Sequence, residues 1–166
     1  MLAKNTKFQA EEEIFEMMNG CICCTVRQDL VVVLNKLANK VKKGLKLDGI
    51  IIETTGMADP APVAQTFFVD DGVKAFARLD GIVTLIDAKH IEQHLDEEKP
   101  EGAENEAVEQ VAFADRMLLN KTDLVDEADL ERVEGRLRAI NNFAPIQRCC
   151  SSVDVATRTF RVLVAQ

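Results

Sequence analysis

Three thiols lie within four residues of one another near the start of the chain. Cys21, Cys23 and Cys24 follow Gly20, which leaves the backbone free to fold the side chains inward. Zn²⁺ prefers thiolate ligands, and the helix predicted after the cluster favours the charged thiolate at its N-terminus. The cluster therefore predicts a zinc site with three protein ligands and a fourth position for water, a carboxylate or a distant Cys. The alternatives are small buried apolar side chains or redox chemistry.

A second polar group, Asn120-Lys121-Thr122-Asp123, ends an apolar run. The Asp123 carboxylate can accept both the ring N–H and the exocyclic amino group of guanine, a contact that adenine cannot make. The Asn120 amide can complement the base edge, and the Lys121 stem can cover the face of the base. The pattern predicts guanine recognition. The alternative is a turn in which Asn and Asp are simply favoured.

An acidic residue and a glycine form the third candidate site. Glu53 ends the run Ile50-Ile51-Ile52, and Gly56 follows three residues later. A carboxylate at the end of a buried strand, with a glycine that permits close backbone approach, fits a Mg²⁺–phosphate edge. Read without the other two sites, the same stretch predicts only a strand, a turn and a capped helix.

The candidate residues need a scaffold, and three apolar, β-branched runs provide it. They stop at polar residues and predict strands over residues 47–52, 79–86 and 116–119. Such continuously apolar runs are typical of a parallel sheet that is buried on both faces. Helical patterns lie between the runs, which indicates an α/β fold. Because ligands of open α/β sheets bind beyond the carboxyl ends of the strands, we expect Glu53, Asp87 and Asn120 along one edge.

Apolar spacing of 3.6 residues predicts helices over residues 26–43, from Pro60 onward, and over 127–140. Thr25 and Gln28 match a capping box before the first helix, and Asp59 is the expected N-cap of the second. Residues 97–103 predict a charged loop, and 158–164 a final strand.

Composition excludes several classes of protein. The 166 residues carry a net charge of −8 and contain no Trp and no Tyr, which argues against nucleic-acid binding. No apolar run approaches the ~18 residues of a membrane span. The five Cys form two tight groups, at 21–24 and 149–150, rather than a spread disulfide framework. We therefore expect a cytoplasmic, reducing location without a membrane or nucleic-acid partner.

The three sites resemble, as a set, the CobW-type metallochaperone GTPases, which include the zinc-regulated GTPase metalloprotein activators. The similarity covers about residues 11–156 and is carried by NGCICCTVRQDL, IIIETTGMADPAPVAQTFF, LDGIVTLIDAKH, EQVAFADRMLLNKTDLV and SSVD. The resemblance implies a P-loop NTPase-like, mostly parallel sheet flanked by helices. It also implies the site residues, namely the metal-binding Cys21, Cys23 and Cys24, the Walker-B-like Glu53 and Gly56, the guanine-binding Asn120, Lys121 and Asp123, and Ser151 or Ser152 in the last base-contacting loop.

The family uses GTP, with Mg²⁺, to control delivery of zinc, or in some members cobalt, to a client metalloenzyme, which is methionine aminopeptidase-like in some members. None of the eight Gly begins a Gly-Lys-Ser/Thr triplet. We therefore expect a partial nucleotide-binding domain over residues 1–156, without the first strand and phosphate loop, and a divergent tail over 157–166. The family's C-terminal domain is also expected to be missing.

Three functions remain open on the sequence. The first is a GTP-dependent zinc chaperone, present as a fragment with negligible GTP hydrolysis of its own. The second is a nucleotide-independent zinc-binding or interaction module. The third is a thiol oxidoreductase using Cys23 or Cys24.

Overall fold

A computed structural model describes residues 25–54, 59–100 and 102–150. Over these residues helices and strands alternate, as α1 (Thr25–Lys42), α2 (Ala61–Val69), α3 (Asp71–Lys74), β1 (Val83–Asp87), α4 (Ile91–Leu95), α5 (Glu106–Ala112), β2 (Arg116–Asn120), α6 (Glu127–Ile140) and β3 (Ile146–Arg148). A 3₁₀ turn covers Thr122–Leu124. Among the described helices, none has the length and apolarity to cross a bilayer.

The three strands form one parallel sheet in the order β1-β2-β3. Each strand is followed by helix or turn on its way to the next, which is the connection that parallel neighbours require. In the register of β1 and β2, Asp87 lies directly opposite Asn120. The predicted parallel α/β sheet is therefore confirmed, and two of its polar strand ends share one edge.

The strand predicted over residues 47–52 is wrong. Residues 45–54 form no ladder with another strand in the described chain. Ile50 and Ile52 still pack against buried helical side chains, but Ile51 between them is 77% exposed. The apolar run therefore buries one side only, and without a hydrogen-bonded neighbour among the described residues it does not form a strand.

Other predicted elements agree closely with the structure. The helix predicted over 127–140 is observed with the same bounds, and the Asp126 side chain caps it by accepting a hydrogen bond from Asp129 N at 2.8 Å. The helix predicted from Pro60 begins one residue later, while Asp59 Oδ1 accepts the Ala61 N–H at 2.8 Å. Strand β3 has no counterpart among the predicted elements, and the predicted final strand over 158–164 lies outside the described residues.

Buried apolar side chains form two separate cores. The first, the sheet core, lies between the sheet and the helices α4 to α6, and its members are Ile86, Ala88, Ile91, Val111, Ala114, Met117, Leu119, Leu130, Val133, Leu137 and Ala144. The second, the helical core, joins α1 to α3 through Leu30, Leu34, Leu37, Ala38, Phe67, Val73, Phe76 and Ala77. The sheet core is the one that supports the carboxyl ends of β1 and β2.

One buried amide fixes the opposite end of the sheet. The Asn141 side chain, in a residue that is 8% exposed, donates hydrogen bonds to the carbonyls of Val111 at 3.0 Å and Ala114 at 2.9 Å. Its Oδ1 accepts the N–H groups of Phe143 and Ala144, each at 3.1 Å. Asn141 thereby joins the α5–β2 loop to the α6–β3 loop.

Candidate functional site

The carboxyl ends of β1 and β2 bring two polar residues together. Asp87 and Asn120 are register partners, and the Ala88 N–H donates to the Asn120 carbonyl at 3.0 Å, which extends the pairing one residue past the strand. Buried residues support both strands from below, since Ile86 and Leu119 are almost fully enclosed. The carboxyl ends of β1 and β2 are therefore held in place, and so are the starting points of the loops that follow them.

The loop after β2, residues 120–124, is held from both sides. The Nζ of Lys121 contacts Asp87 Oδ2 at 2.7 Å, across 34 residues of sequence. On the other side, Thr122 donates to the Cys149 carbonyl from its N at 3.4 Å and from its Oγ1 at 3.2 Å. The loop is thus tied to β1 through Lys121 and to the residue that follows β3 through Thr122.

The backbone of Lys121 lies in the left-handed region, at φ 60° and ψ 34°. For a residue with a Cβ this conformation costs roughly 1–2 kcal/mol, and it persists only where the surroundings impose it. Here it reverses the chain into the 3₁₀ turn, in which Leu124 N donates to the Lys121 carbonyl at 3.0 Å. The turn places Asp123 on the surface directly beyond the strand.

Asp87 is the most strongly stabilised carboxylate of the edge. Its Oδ2 accepts from both Lys121 and His90 Nδ1, the latter at 3.0 Å, and its Oδ1 accepts the Lys89 N–H at 2.9 Å. Burial raises the pKa of Asp87, but the hydrogen bonds from Lys121, His90 and Lys89 together outweigh it and hold the pKa well below its usual range. Asp87 is therefore ionised at any physiological pH.

Two groups of the loop have unused hydrogen-bonding capacity. The Asp123 carboxylate is exposed and has no hydrogen bond or ion pair with the part of the chain that the structure describes. Asn120 Oδ1 is buried and likewise has no partner there. A buried acceptor without a donor costs about 1–3 kcal/mol, and native proteins keep such atoms chiefly where a function uses them.

Glu53, the predicted acidic edge residue, is exposed at the end of the ladderless segment 45–54. It makes no hydrogen bond or ion pair with other described residues, so the structure does not bring it into contact with the loop 120–124. Gly56, Ser151, Ser152 and the three clustered cysteines lie outside the described residues. Among the residues described, no group of three or more His, Cys, Asp or Glu side chains could hold a metal ion.

The sequence matches a family model over most of its length. The model of the CobW/HypB/UreG nucleotide-binding domain matches residues 2–148. The chain belongs to this family. The predicted resemblance is thereby confirmed, and with it the general class of metallochaperone GTPases.

Similar proteins of the CobW/HypB/UreG family carry names that refer to zinc. The chain is 42% identical over 139 residues to zinc-regulated GTPase metalloprotein activator 1 of Schizosaccharomyces pombe, covering 81% of this chain and 32% of that protein. It is 39% identical over 135 residues to the zinc chaperone YjiA of Escherichia coli, covering 81% of this chain and 40% of that protein. The chain therefore spans roughly a third of the length of the curated relatives it matches.

A solved structure of the same family shows the same fold. The crystal structure of Zn(II)-bound YjiA GTPase from E. coli superposes with a TM-score of 0.60 at 39% identity, covering 69% of this chain and 34% of that one. The predicted P-loop NTPase-like architecture, a parallel sheet flanked by helices, is confirmed.

Sequence reasoning missed two contacts of this CobW-type site. It placed Asp87 at the edge but did not pair it with Lys121, and it gave Thr122 no role. The first contact depends on the register of β1 and β2, which brings Lys121 beside Asp87 and which sequence patterns do not predict. The Thr122–Cys149 contact depends on β3, which the sequence did not indicate.

Proposed function

We propose that this chain contributes the guanine-reading part of a GTP-dependent zinc chaperone that delivers zinc to a client metalloenzyme. Guanine is recognised by Asn120, Lys121 and Asp123, with Ser152 as a further base contact. The observation that carries the proposal is the Asp123 carboxylate, which is exposed beyond β2 and has no hydrogen bond or ion pair within the described chain. Family membership and the names of the relatives support the same function.

The chemistry of the loop fits a guanine base. A free carboxylate accepts two N–H donors at once, and guanine presents two on its Watson–Crick edge whereas adenine does not. The exposed aliphatic stem of Lys121 offers a surface for the face of the base, while its ammonium stays on Asp87. The Asn120 amide lies at the end of β2 beside this loop and can complement the base edge.

Substituting Asp123 tests guanine reading. Calorimetry with GDP, ADP and xanthosine diphosphate should show that the parent chain prefers GDP, and that Asp123→Asn exchanges this preference for xanthosine diphosphate. The matched control is Glu131→Gln, which removes another exposed carboxylate, from α6, and should leave the preference unchanged. Equal affinity of the parent for GDP and ADP would contradict the proposal.

The phosphate end of the site is proposed to involve Glu53 and Gly56. Glu53 supplies an exposed carboxylate of the type that Mg²⁺ prefers, and Gly56 permits close backbone approach. Bound Mg²⁺ would neutralise phosphate charge. The 166 residues contain no Gly-Lys-Ser/Thr triplet, so we propose that they hydrolyse GTP negligibly by themselves. Phosphate release from GTP that matches a full-length relative, and that Asp123→Ala abolishes, would contradict this.

Zinc is proposed to bind as cargo through the thiolates of Cys21, Cys23 and Cys24. Three thiolates with an open fourth position suit a metal that must be released again. The triple Cys→Ser variant should lose one equivalent of zinc by mass spectrometry of the intact protein. Cys150→Ser, which changes an exposed thiol elsewhere, should keep it. Affinity should fall in acid, because protons compete for the thiolates.

A cytoplasmic location and a methionine aminopeptidase-like client follow from the family resemblance and remain proposals.

One observation favours a second candidate function, a nucleotide-independent zinc-binding or interaction module. Without a phosphate-binding triplet in these 166 residues, the base contacts alone must supply the affinity for nucleotide. Undetectable GDP binding together with retained zinc binding would favour that second function.

A further inference from the structure

The edge of the sheet contains an ion pair that no base contact accounts for. Asp87 Oδ2 lies 2.7 Å from Lys121 Nζ, and three donors in all fix the carboxylate, from Lys121, His90 and the backbone of Lys89. The two residues come from neighbouring strands, so the sheet itself sets their separation. The Asp87 side chain is only 27% exposed, whereas the Lys121 side chain is 51% exposed. The Asp87 carboxylate is therefore fixed by its surroundings, and it restricts the position of the more exposed Lys121 ammonium.

A lysine that must lie against a base has many other rotamers. Its side chain carries about 2 kcal/mol of rotamer entropy, which binding has to overcome if the side chain is free beforehand. In this structure the Lys121 backbone is already fixed, because the left-handed turn and the Thr122–Cys149 hydrogen bonds define the loop. Only the four-carbon stem remains to be ordered, and Asp87 holds its end.

We propose that Asp87 is a positioning residue of the guanine site, which holds Lys121 in place without touching the nucleotide itself. The inference rests on the proposed guanine recognition by Asn120, Lys121 and Asp123. Under this proposal β1 takes part in base recognition through Asp87, although Asp87 does not contact the base. The competing explanation is an ordinary surface ion pair, which orders nothing that matters for binding.

The first experiment measures whether Asp87 holds Lys121, without any nucleotide. The parent chain and Asp87→Asn are labelled briefly with an amine-specific acylating reagent, and each lysine is quantified by mass spectrometry against the exposed Lys36. Lys121 should react about two- to fivefold faster in Asp87→Asn, which is the range that a partly exposed ion pair supports. Asp87→Glu, which keeps the carboxylate, should restore part of the protection.

A second Lys–Asp pair of the same chain provides the matched control. Lys74 Nζ lies 3.0 Å from Asp71 Oδ1, far from the loop 120–124 in sequence and on a different core. Asp71→Asn should release Lys74 and leave the labelling of Lys121 unchanged. Unchanged labelling of Lys121 in Asp87→Asn would overturn the proposal. So would a change in Lys121 labelling that is equally large in Asp87→Asn and in Asp71→Asn.

The second experiment asks whether the held lysine matters for the nucleotide. GDP affinity is measured by calorimetry for the parent, Asp87→Asn, Lys121→Met and the double variant. We expect Asp87→Asn to weaken GDP about three- to tenfold, the cost of immobilising one flexible side chain. The same substitution should have no effect when Lys121 is already Met. The preference for GDP over xanthosine diphosphate should not move, because Asp123 is intact.

The outcomes separate the two hypotheses. A loss of GDP affinity in Asp87→Asn that persists in the Lys121→Met background would show that Asp87 acts through the general stability of the edge, and would overturn the positioning role. So would unchanged GDP affinity in Asp87→Asn alongside a clear effect of Asp123→Asn. A parent chain that does not distinguish GDP from ADP would instead overturn the proposed function, and the role of Asp87 in it.

Discussion

Replacing Asn141 with Ala removes five hydrogen bonds from the interior and tests what holds the sheet in register. The amide donates to the carbonyls of Val111, Ala112 and Ala114, and its Oδ1 accepts from Phe143 and Ala144. In Asn141→Ala the Ala114 carbonyl and the Ala144 N–H lose this partner in a region that water reaches poorly, whereas the Val111 carbonyl still accepts the Ala114 N–H at 3.3 Å. The loops that lead into β2 and β3 should then separate.

The magnitude follows from which groups remain buried. Ala114 and Ala144 are 6% and 3% exposed, while Phe143 is on the surface and can exchange its partner for water. Each buried group left unsatisfied costs about 1–3 kcal/mol. Allowing for some entry of water, we expect the free energy of unfolding to fall by about 2–4 kcal/mol, which is large for a single substitution.

Urea unfolding followed by far-UV circular dichroism measures this loss. The matched control is Asn142→Ala, which removes the neighbouring exposed amide and should change stability by less than about 0.5 kcal/mol. A loss below about 1 kcal/mol in Asn141→Ala, or one that equals the control, would refute the argument that this amide holds the two loops together.

Three further predictions follow from local features. Folding lowers the pKa of Asp87, so its stabilising contribution is present above the unfolded pKa of about 3.9 and is lost as the pH falls below that value. Acid unfolding should therefore be less steep in Asp87→Asn. Gly44 has φ +103°, and Gly44→Ala should destabilise by about 1 kcal/mol in urea unfolding, whereas Gly135→Ala, in open space within α6, should stabilise by about 0.5–1 kcal/mol. Leu137 is fully buried in the sheet core, so Leu137→Ala should cost about 2–5 kcal/mol by the same measurement.

The parts of the fold that the sequence predicts well are those with both local and tertiary support. Helix α6 has a capping Asp126, an apolar stripe and a partner surface, and its bounds are as predicted. Strand β2 ends at Asn120 as expected, because its apolar run is buried on both faces. Residues 47–52 have an equally apolar run but no strand beside them in the described chain, and apolar sequence alone cannot supply the missing hydrogen bonds.

The same distinction applies to the candidate site. Asp123 could be singled out from spacing, since its motif is contiguous and its chemistry needs no distant partner. The ion pair between Asp87 and Lys121 could not, because it joins residues that are 34 positions apart and depends on the register of two strands. Sequence patterns predict which residues end a strand. They do not predict which side chains meet there.

The position of β1 in the sheet also affects how the protein behaves in solution. β1 pairs only with β2 among the described strands, and Leu85 in its middle is 62% exposed. An unprotected strand edge with an apolar side chain is the feature that natural proteins usually guard with charge, a bulge or a covering segment. Among the described residues, the strand that positions Asp87 is therefore also one that favours association between molecules. A charged residue at position 85 would improve solubility while leaving the carboxylate two residues away where it is.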